Sequence, residues 1–374
     1  MHARRESHRE REVAVAPLIA VTAGCVRAFT SCLLVGAFAL AALVVARGVA
    51  ADEASPLERY PGRLVDVGGH DLHIDCRGRG GPVIVLESGI GGFSLEWRAV
   101  QAALSPRTRV CAYDRAGYGW SEPANGPRTA AGAAAELHEL LAAAGEAPPY
   151  LLAGHSYGGL IVREFAARWP HAVAGVALID AAAPEQFARL PAAALPRAYL
   201  AALGGGGRVF SMPRAAAGFP AAQRTLGLQL MMLPKARLAY RAEMRDFEHS
   251  ARRLMSQGAG AITAPLVVIS RARDEFGPAA GGSDAEHVWG EMQTAMRQLS
   301  RHADHWLAAG AGHQVHADRP DLVALALREL GDAARMTARA ADAFALAPIF
   351  ARLVLSVPPP VLAAGGWSST DAAR

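Results

Sequence analysis

The hexapeptide GHSYGG at residues 154–159 constrains this chain more than any other stretch. It has the form G-x-S-x-G and follows Pro149–Ala153, a short apolar run with the composition of a buried strand. Apolar residues then recur at helical spacing as far as Trp169, and Pro170 ends the run. A strand, a sharp turn and a helix in this order expose the serine hydroxyl above the strand. The pattern predicts that Ser156 is a nucleophile, and the small residues flanking it are required by the tight turn.

The pattern along the rest of the chain predicts an α/β fold. Two strand-like segments, Arg63–Val67 and Asp71–Cys76, flank a glycine-rich turn and are typical of a hairpin. Strands and helices then alternate, which favours a mostly parallel, eight-stranded sheet with helices on both faces. The other six predicted strands are Pro82–Glu87, Arg109–Tyr113, Pro149–Ala153, Val173–Ile179, Leu266–Ser270 and His305–Ala308. Helices are predicted at Leu95–Leu104, Ala130–Ala144, Leu238–Leu254, Ala285–Leu299 and Leu322–Leu330.

Residues 185–262 interrupt this alternation and are too long for a loop. We interpret them as a helical cap inserted over the carboxyl edge of the sheet. Their apolar side chains either line a substrate pocket or form the core of the cap itself. The residues in question are Phe187, Leu190, Tyr199, Phe210, Met212, Phe219, Met231 and Met232.

A nucleophilic serine needs a base, and the base needs an acid to hold its tautomer. His313 follows the last predicted strand in a loop of small residues and is the candidate base, with His316 as the second choice. Asp274 follows the strand Leu266–Ser270 and is the preferred acid, with Glu275 a weaker neighbour. The alternative acid is Asp180, at the end of the preceding strand.

The developing oxyanion needs two backbone N–H donors. One is predicted at Tyr157, where the helix after the turn begins. The other is expected in the glycine-rich loop Glu87–Phe93, and we assign it to Ile90 because the glycines allow close approach of the backbone.

The N-terminal segment predicts a location outside the cytoplasm. Residues 1–12 are polar and contain four arginines, and Ala28–Ala46 carries no charge. That length can span a bilayer and exceeds the usual core of a signal peptide, although Val49-Ala50-Ala51 is suited to cleavage. Residues 1–53 are therefore expected to be a transmembrane anchor or an export signal, which would place the catalytic domain outside the cytoplasm.

Composition excludes some partners and leaves others open. The net charge of +4 comes from scattered arginines with no basic stripe, so no nucleic acid is expected as a partner. The four cysteines form no C-x-x-C pair, so neither a metal site nor a cofactor is predicted. A disulfide between Cys76 and Cys111 stays open. Residues 333–374, rich in alanine and proline, are expected to be a tail, and the oligomeric state is not predicted.

These elements together resemble the α/β-hydrolase superfamily over residues 60–332. The segment Tyr113–Ser121 is similar to the D-x-x-G-x-G-x-S turn of its esterase and proline iminopeptidase branches, in which Asp114 and Arg115 would brace the turn. Members often have His-Gly after the third strand, and this chain has Ser88-Gly89. The resemblance implies an α/β-hydrolase domain at residues 57–332.

The resemblance also implies a hydrolase reaction. Epoxide hydrolases and dehalogenases of this fold use aspartate at the turn, so Ser156 favours hydrolysis of carboxylic esters of small apolar substrates through an acyl-enzyme. The alternatives are a peptidase, a cofactor-free perhydrolase, a C–C bond hydrolase and a non-catalytic binding protein. A peptidase would need acidic cap residues to bind an α-amine. The candidates are Glu185 and three residues that we expect on a solvated helix, Glu243, Asp246 and Glu248.

Overall fold

The computed structural model describes residues 60–195, 219, 221–256, 258 and 260–340. Within these residues, eight strands form a single sheet in the spatial order β1-β2-β4-β3-β5-β6-β7-β8. The strands are β1 Arg63–Asp66, β2 Asp71–Arg77, β3 Val83–Glu87, β4 Val110–Tyr113, β5 Tyr150–His155, β6 Val173–Ile179, β7 Leu266–Arg271 and β8 Ala303–Ala308.

Helices follow most of the strands and occupy the segment between β6 and β7. They are α1 Arg98–Leu104, α2 Ala130–Ala143, α3 Tyr157–Arg168, α4 Gln186–Arg189, α5 Arg224–Met232, α6 Pro234–Leu254, α7 Gly282–Ala295, α8 Val315–Asp318 and α9 Pro320–Ala340. Helices α4, α5 and α6 lie within the predicted cap, whereas its residues Tyr199, Phe210 and Met212 lie outside the described part. Helix α9 continues to Ala340, and the rest of the expected tail lies outside the described residues.

The sheet is mostly parallel, as predicted. Only the pairings of β1 with β2 and of β2 with β4 are antiparallel, and the other neighbours run parallel. The carboxyl ends of β3, β5, β6, β7 and β8 therefore lie at one edge, where the loops that carry the candidate site residues emerge.

Both faces of the sheet are covered, which explains the apolar runs of its central strands. Val85 of β3 packs in one core with Leu137 of α2 and Phe165 of α3, and the adjacent Ile84 packs in the other with Leu104 of α1 and Leu327 of α9. This alternation assigns successive residues of a strand to opposite cores. The two cores hold the strand ends at the site in fixed positions.

Cys76 and Cys111 form a disulfide between facing positions of β2 and β4. The bond joins the antiparallel part of the sheet to its parallel part. The predicted anchor or signal at residues 1–53 lies outside the described residues. Within the described ranges, none of the helices combines the length and apolarity that crossing a bilayer requires.

Candidate active site

Ser156 occupies the sharp turn between β5 and α3. Its φ of 51° and ψ of −121° lie in a region that residues other than glycine rarely adopt. The Ser156 N–H donates to the Ile179 carbonyl at 3.2 Å, and the Ser156 carbonyl accepts from Gly159 and Ala182, each at 2.9 Å. The adjacent strand and helix therefore hold the serine in this strained conformation.

The glycines around Ser156 are required by close backbone contacts. A Cβ atom at Gly154 would lie 2.5 Å from the carbonyl oxygen of Gly158, and one at Gly158 would lie 2.6 Å from the carbonyl oxygen of Ser88. Both distances are too short for any side chain. The structure therefore places the predicted turn and its small flanking residues as the motif requires.

His313 lies in the loop between β8 and α8 and reaches the serine. Its Nε2 is 3.1 Å from Ser156 Oγ, and its side chain is 34% exposed. The hydroxyl can donate its proton to Nε2 only if Nε2 has a free lone pair. The single N–H of the neutral ring must then be on Nδ1. The group on the far side of the imidazole must therefore be an acceptor.

That acceptor is Asp180, at the carboxyl end of β6. Its Oδ2 lies 2.6 Å from His313 Nδ1 and 2.8 Å from the Arg271 guanidinium, and its Oδ1 accepts from the Trp289 indole at 2.9 Å. Burial alone would raise the pKa of Asp180, but the bond with His313 and the charge of Arg271 outweigh it and lower the pKa well below its usual value. The carboxylate stays ionised against the imidazole.

The preferred acid of the sequence analysis, Asp274, does not take this position and is corrected to Asp180. Asp274 is exposed and lines a wide cleft of about 960 Å³ between β7, β8 and α7, whose lining includes neither Ser156 nor His313. The loop is turned away because Glu286 accepts from the backbone N–H of Phe276 at 2.6 Å and from that of Glu275. Glu275, the weaker candidate in the same loop, therefore does not take the place of Asp274 as the acid beside His313.

Two partners of the acid were missed from the sequence. Arg271 is the last residue of β7 and bridges Asp180 to Glu286, and Trp289 of α7 donates to Asp180. The sequence did hold one signal for this contact, because Arg271 ends an otherwise apolar strand and a buried charge needs a charged partner. Asp180, at the end of the neighbouring parallel strand, is the nearest acid that could be that partner.

The two predicted N–H donors lie on the elements that surround the serine. Tyr157 is the first residue of α3, so its N–H has no acceptor within the helix. Gly89 approaches so closely that a Cβ there would lie 3.1 Å from Ser156 Cβ, and its carbonyl accepts from Arg115 at 2.8 Å. Because a peptide unit is planar, that bond also fixes the direction of the Ile90 N–H, opposite the carbonyl. The donor roles of Tyr157 and Ile90 stay predictions.

A model of the alpha/beta hydrolase fold matches residues 82–320, which is more than half of the chain. The chain belongs to this family. The match spans β3 through β8 and contains Ser156, Asp180 and His313. The fold inferred from the sequence is therefore confirmed.

Curated relatives match this α/β-hydrolase to different extents. The uncharacterized protein YqjL of Bacillus subtilis is 27% identical over 69% of this chain and 87% of its own length. The probable transporter efuK of Hormonema carpetanum is 38% identical over 34% of this chain, and the match covers only 20% of efuK. Neither name states a reaction that the present chain could share.

Solved structures support the same fold. An esterase of Thermogutta terrifontis superposes with a TM-score of 0.53 at 21% identity, covering 70% of this chain and 92% of the esterase. The epoxide hydrolase CorEH superposes with a TM-score of 0.56 at 18% identity, covering 71% and 96%. These neighbours cleave different bonds, so the likeness shows the α/β-hydrolase fold and leaves the substrate to the residues of the site.

Asp114 and Arg115 brace the turn after β4, as expected for this α/β-hydrolase. Asp114 accepts from the backbone N–H of Ser94 at 2.8 Å and from that of Trp120 at 2.9 Å. A Cβ at Gly119 would lie 2.1 Å from the same carboxylate, so only glycine leaves room for it. Asp114 therefore fixes the turn and does not face the serine.

Arg115 extends from this turn into a buried contact with the cap. Its guanidinium bonds Glu243 of α6 at 2.7 and 2.9 Å, Glu87 at 2.6 Å and the carbonyl oxygens of Ser88 and Gly89 at 2.7 and 2.8 Å. The expectation that Glu243 lies on a solvated face is wrong, since Glu243 is only 1% exposed. One arginine thus ties the cap helix to the glycine-rich loop beside Ser156.

His316, the second choice for the base, lies outside the hydrogen-bonded series formed by Ser156, His313 and Asp180. It is completely buried, stacks on Trp97 at 4.3 Å between ring centroids, and has His155 at 4.5 Å. Burial lowers its pKa to about 3, so the imidazole stays neutral. The structure therefore places His313, and not His316, at the serine.

Proposed function

We propose that this α/β-hydrolase is a serine esterase that cleaves carboxylic esters through an acyl-enzyme on Ser156. The observation that carries the proposal is the continuous relay from Ser156 Oγ through His313 to Asp180, with separations of 3.1 and 2.6 Å. Nucleophile, base and acid are within hydrogen-bond reach of one another in the order that acyl transfer needs.

The proposed reaction uses each member of the relay in turn. Ser156 Oγ attacks the ester carbonyl while His313 Nε2 takes its proton, and the N–H groups of Tyr157 and Ile90 stabilise the oxyanion. The imidazolium, stabilised by Asp180, then protonates the leaving alcohol. Water attacks the acyl-enzyme with His313 again as base, which releases the acid and restores the serine.

The cap supports an ester substrate over an N-terminal peptide. A peptidase would need a free carboxylate in the cap to bind an α-amine. Glu243 is bonded to Arg115, Asp246 accepts from the Arg128 N–H at 2.7 Å, and Glu248 pairs with Arg252. Three of the four acidic candidates thus bind the protein's own cations and N–H groups, whereas Glu185 is exposed at the start of the cap.

Apolar cap residues support an apolar acyl or alcohol group. Phe93 of the glycine-rich loop packs on Phe219 with ring centroids 5.2 Å apart. Leu230 and Met231 of α5 lie beside Phe93 in the same apolar region. The cap therefore brings apolar surface to the loop that carries Ile90. Met232, in contrast, is 46% exposed and faces away from this contact.

The test combines a covalent probe with a series of esters. We expect a fluorophosphonate to label the wild-type protein, and Ser156→Ala to lose both the label and hydrolysis of p-nitrophenyl esters, by about 10⁴-fold or more. Activity measured from acetate to longer acyl chains should rise with chain length, because each added methylene buries apolar surface.

Amino-acid p-nitroanilides provide the matched amide substrates. Hydrolysis of the anilides in place of the esters would support the peptidase alternative. Labelling of Ser156 without turnover of any ester would contradict the esterase proposal while leaving a reactive serine. Absence of labelling would favour the non-catalytic binding protein.

We further propose that the domain works outside the cytoplasm, delivered by residues 1–53. The support is the charge pattern of that segment, with arginines before an uncharged run, together with the disulfide between Cys76 and Cys111. Disulfides persist mainly in oxidising compartments.

For this second proposal, the full chain would be produced in a bacterium and separated into cytoplasmic, membrane and exported fractions. We expect it outside the cytoplasmic fraction, with a Cys76–Cys111 peptide detected by mass spectrometry under non-reducing conditions. A version lacking residues 1–53 should stay in the cytoplasm, where both thiols react with an alkylating reagent. Cytoplasmic recovery of the full chain would contradict the proposal.

A further inference from the structure

Three polar side chains form a closed cluster next to the relay but take no part in it. The ligating atoms of Glu96, His155 and His316 all lie within 4.8 Å of one another, and each residue is at least nine-tenths buried. His316 Nε2 is 3.7 Å from Glu96 Oε1. Glu96 precedes α1, His155 ends β5, and His316 lies in α8, so three separate elements meet here.

The atoms that face the centre of this cluster lack hydrogen-bond partners. Within the described part of the chain, nothing bonds Glu96 Oε1, His155 Nδ1 or either ring nitrogen of His316. Buried polar atoms are bonded in the great majority of cases, and each exception calls for a ligand or a water. Each of the three residues therefore brings at least one unsatisfied atom to the cluster, which indicates a missing group.

The protons on these side chains define what that group must be. His155 Nε2 lies 2.8 Å from the carbonyl oxygen of His313, and because a carbonyl only accepts, Nε2 carries the proton. His155 Nδ1 is then a bare lone pair in a neutral ring. His316 brings an unbonded ring nitrogen and Glu96 an unbonded carboxyl oxygen to the same place. A site built from acceptors suits a cation.

Two glycines of the loop after β3 keep the space open. A Cβ at Gly92 would lie 2.4 Å from Glu96 Oε1, and one at Gly89 would lie 2.9 Å from His155 Nδ1. Larger residues at either position would push these side chains out of place. The glycine-rich loop thus makes room for the cluster as well as approaching the serine.

We propose that Glu96, His155 and His316 bind one divalent transition-metal ion, for which zinc is the best match. Two imidazole nitrogens and a carboxylate oxygen are a common zinc ligand set. Bonds of about 2.1 Å in tetrahedral geometry place ligand atoms roughly 3.4 Å apart, so side-chain shifts of about 1 Å close the site. The ion would join the serine turn to the helix after His313 and so stabilise the fold.

The experiment measures metal directly and does not depend on ester hydrolysis. The full chain, without an affinity tag, would be stripped with a chelator and titrated with Zn²⁺ or Co²⁺ alone. We expect one ion per chain by elemental mass spectrometry, a tetrahedral Co²⁺ absorption spectrum, and a rise of about 5 °C in the melting temperature at saturating zinc.

Two ligand variants and one control locate the site. Glu96→Gln and His316→Gln should each weaken zinc binding by about 100-fold or more and abolish the rise in melting temperature. The control, His287→Gln, removes an exposed histidine that pairs with Glu291 at 3.2 Å and should leave zinc binding unchanged. Glu96→Gln preserves volume, so it remains informative if His316→Gln does not fold.

Wild-type protein that binds no zinc and gains no thermal stability would overturn the proposal, and the cluster would then enclose water. Zinc binding that persists in Glu96→Gln, or that is lost in His287→Gln, would also overturn it by placing the ion elsewhere. Each outcome is independent of the esterase proposal, which is read from fluorophosphonate labelling and ester turnover.

Discussion

Asp180→Asn is expected to lower kcat for ester hydrolysis by about 10⁴-fold, with a much smaller change in KM. The asparagine amide fits the same space but stabilises the His313 tautomer with its proton on Nε2. That ring cannot accept a proton from Ser156 Oγ. Steady-state kinetics on the best p-nitrophenyl ester measure the effect, and the rate of fluorophosphonate labelling should fall in parallel.

Asp274→Asn is the matched control for this prediction. Asp274 is exposed and lies apart from the relay, so its variant should retain kcat within about twofold. Thermal unfolding of both variants shows that the fold is intact. A large loss in Asp274→Asn with little loss in Asp180→Asn would show that the acid comes from the loop after β7.

Arg115→Met is expected to lower the free energy of unfolding by about 3–5 kcal/mol. The guanidinium pairs with both Glu87 and Glu243, which are buried, and removing it leaves the two carboxyl groups without their charge partner. Urea unfolding measures the change. In Arg115→Lys a single ammonium cannot reach both the Gly89 carbonyl and Glu243, so the Ile90 N–H loses its fixed direction. We expect kcat to fall by about 100-fold in that variant.

Arg252→Met provides the contrast on the same cap helix. Arg252 is 71% exposed and pairs with Glu248 one turn away, so its loss should cost less than about 1 kcal/mol. If Arg115→Met costs no more than Arg252→Met, the buried cluster does not hold the cap. If Arg115→Lys keeps full kcat, the guanidinium does not position the oxyanion loop.

The sequence sufficed for the parts of the site that depend on local pattern. The turn that carries Ser156 was predicted from the residues around it because such a turn needs glycines at fixed offsets. The place of His313 beside Ser156 was predicted because the histidine follows the last strand and small residues surround it. Likewise, the order of apolar runs and helical segments predicted the sheet, since the central strands β3 to β7 are buried on both faces.

The acid could not be chosen from sequence because two adjacent strands each end near an aspartate. What decides between Asp180 and Asp274 is contact across the sheet. Arg271 and Trp289 bond Asp180, while Glu286 holds the later loop away. The burial of Glu243 was missed for the same reason, because its partner lies 128 positions away along the chain. Such pairs leave no trace in local periodicity.

The relay joins residues that are far apart in the chain. His313 lies 157 positions after Ser156 and 133 after Asp180. While the ribosome is still adding residues before β8, the growing chain already carries Ser156, the proposed nucleophile, but not His313, the proposed base. Long-range parallel pairing also forms late in folding. The arrangement therefore postpones the chemistry until the domain is complete, and regained activity after denaturation would report the final step of assembly.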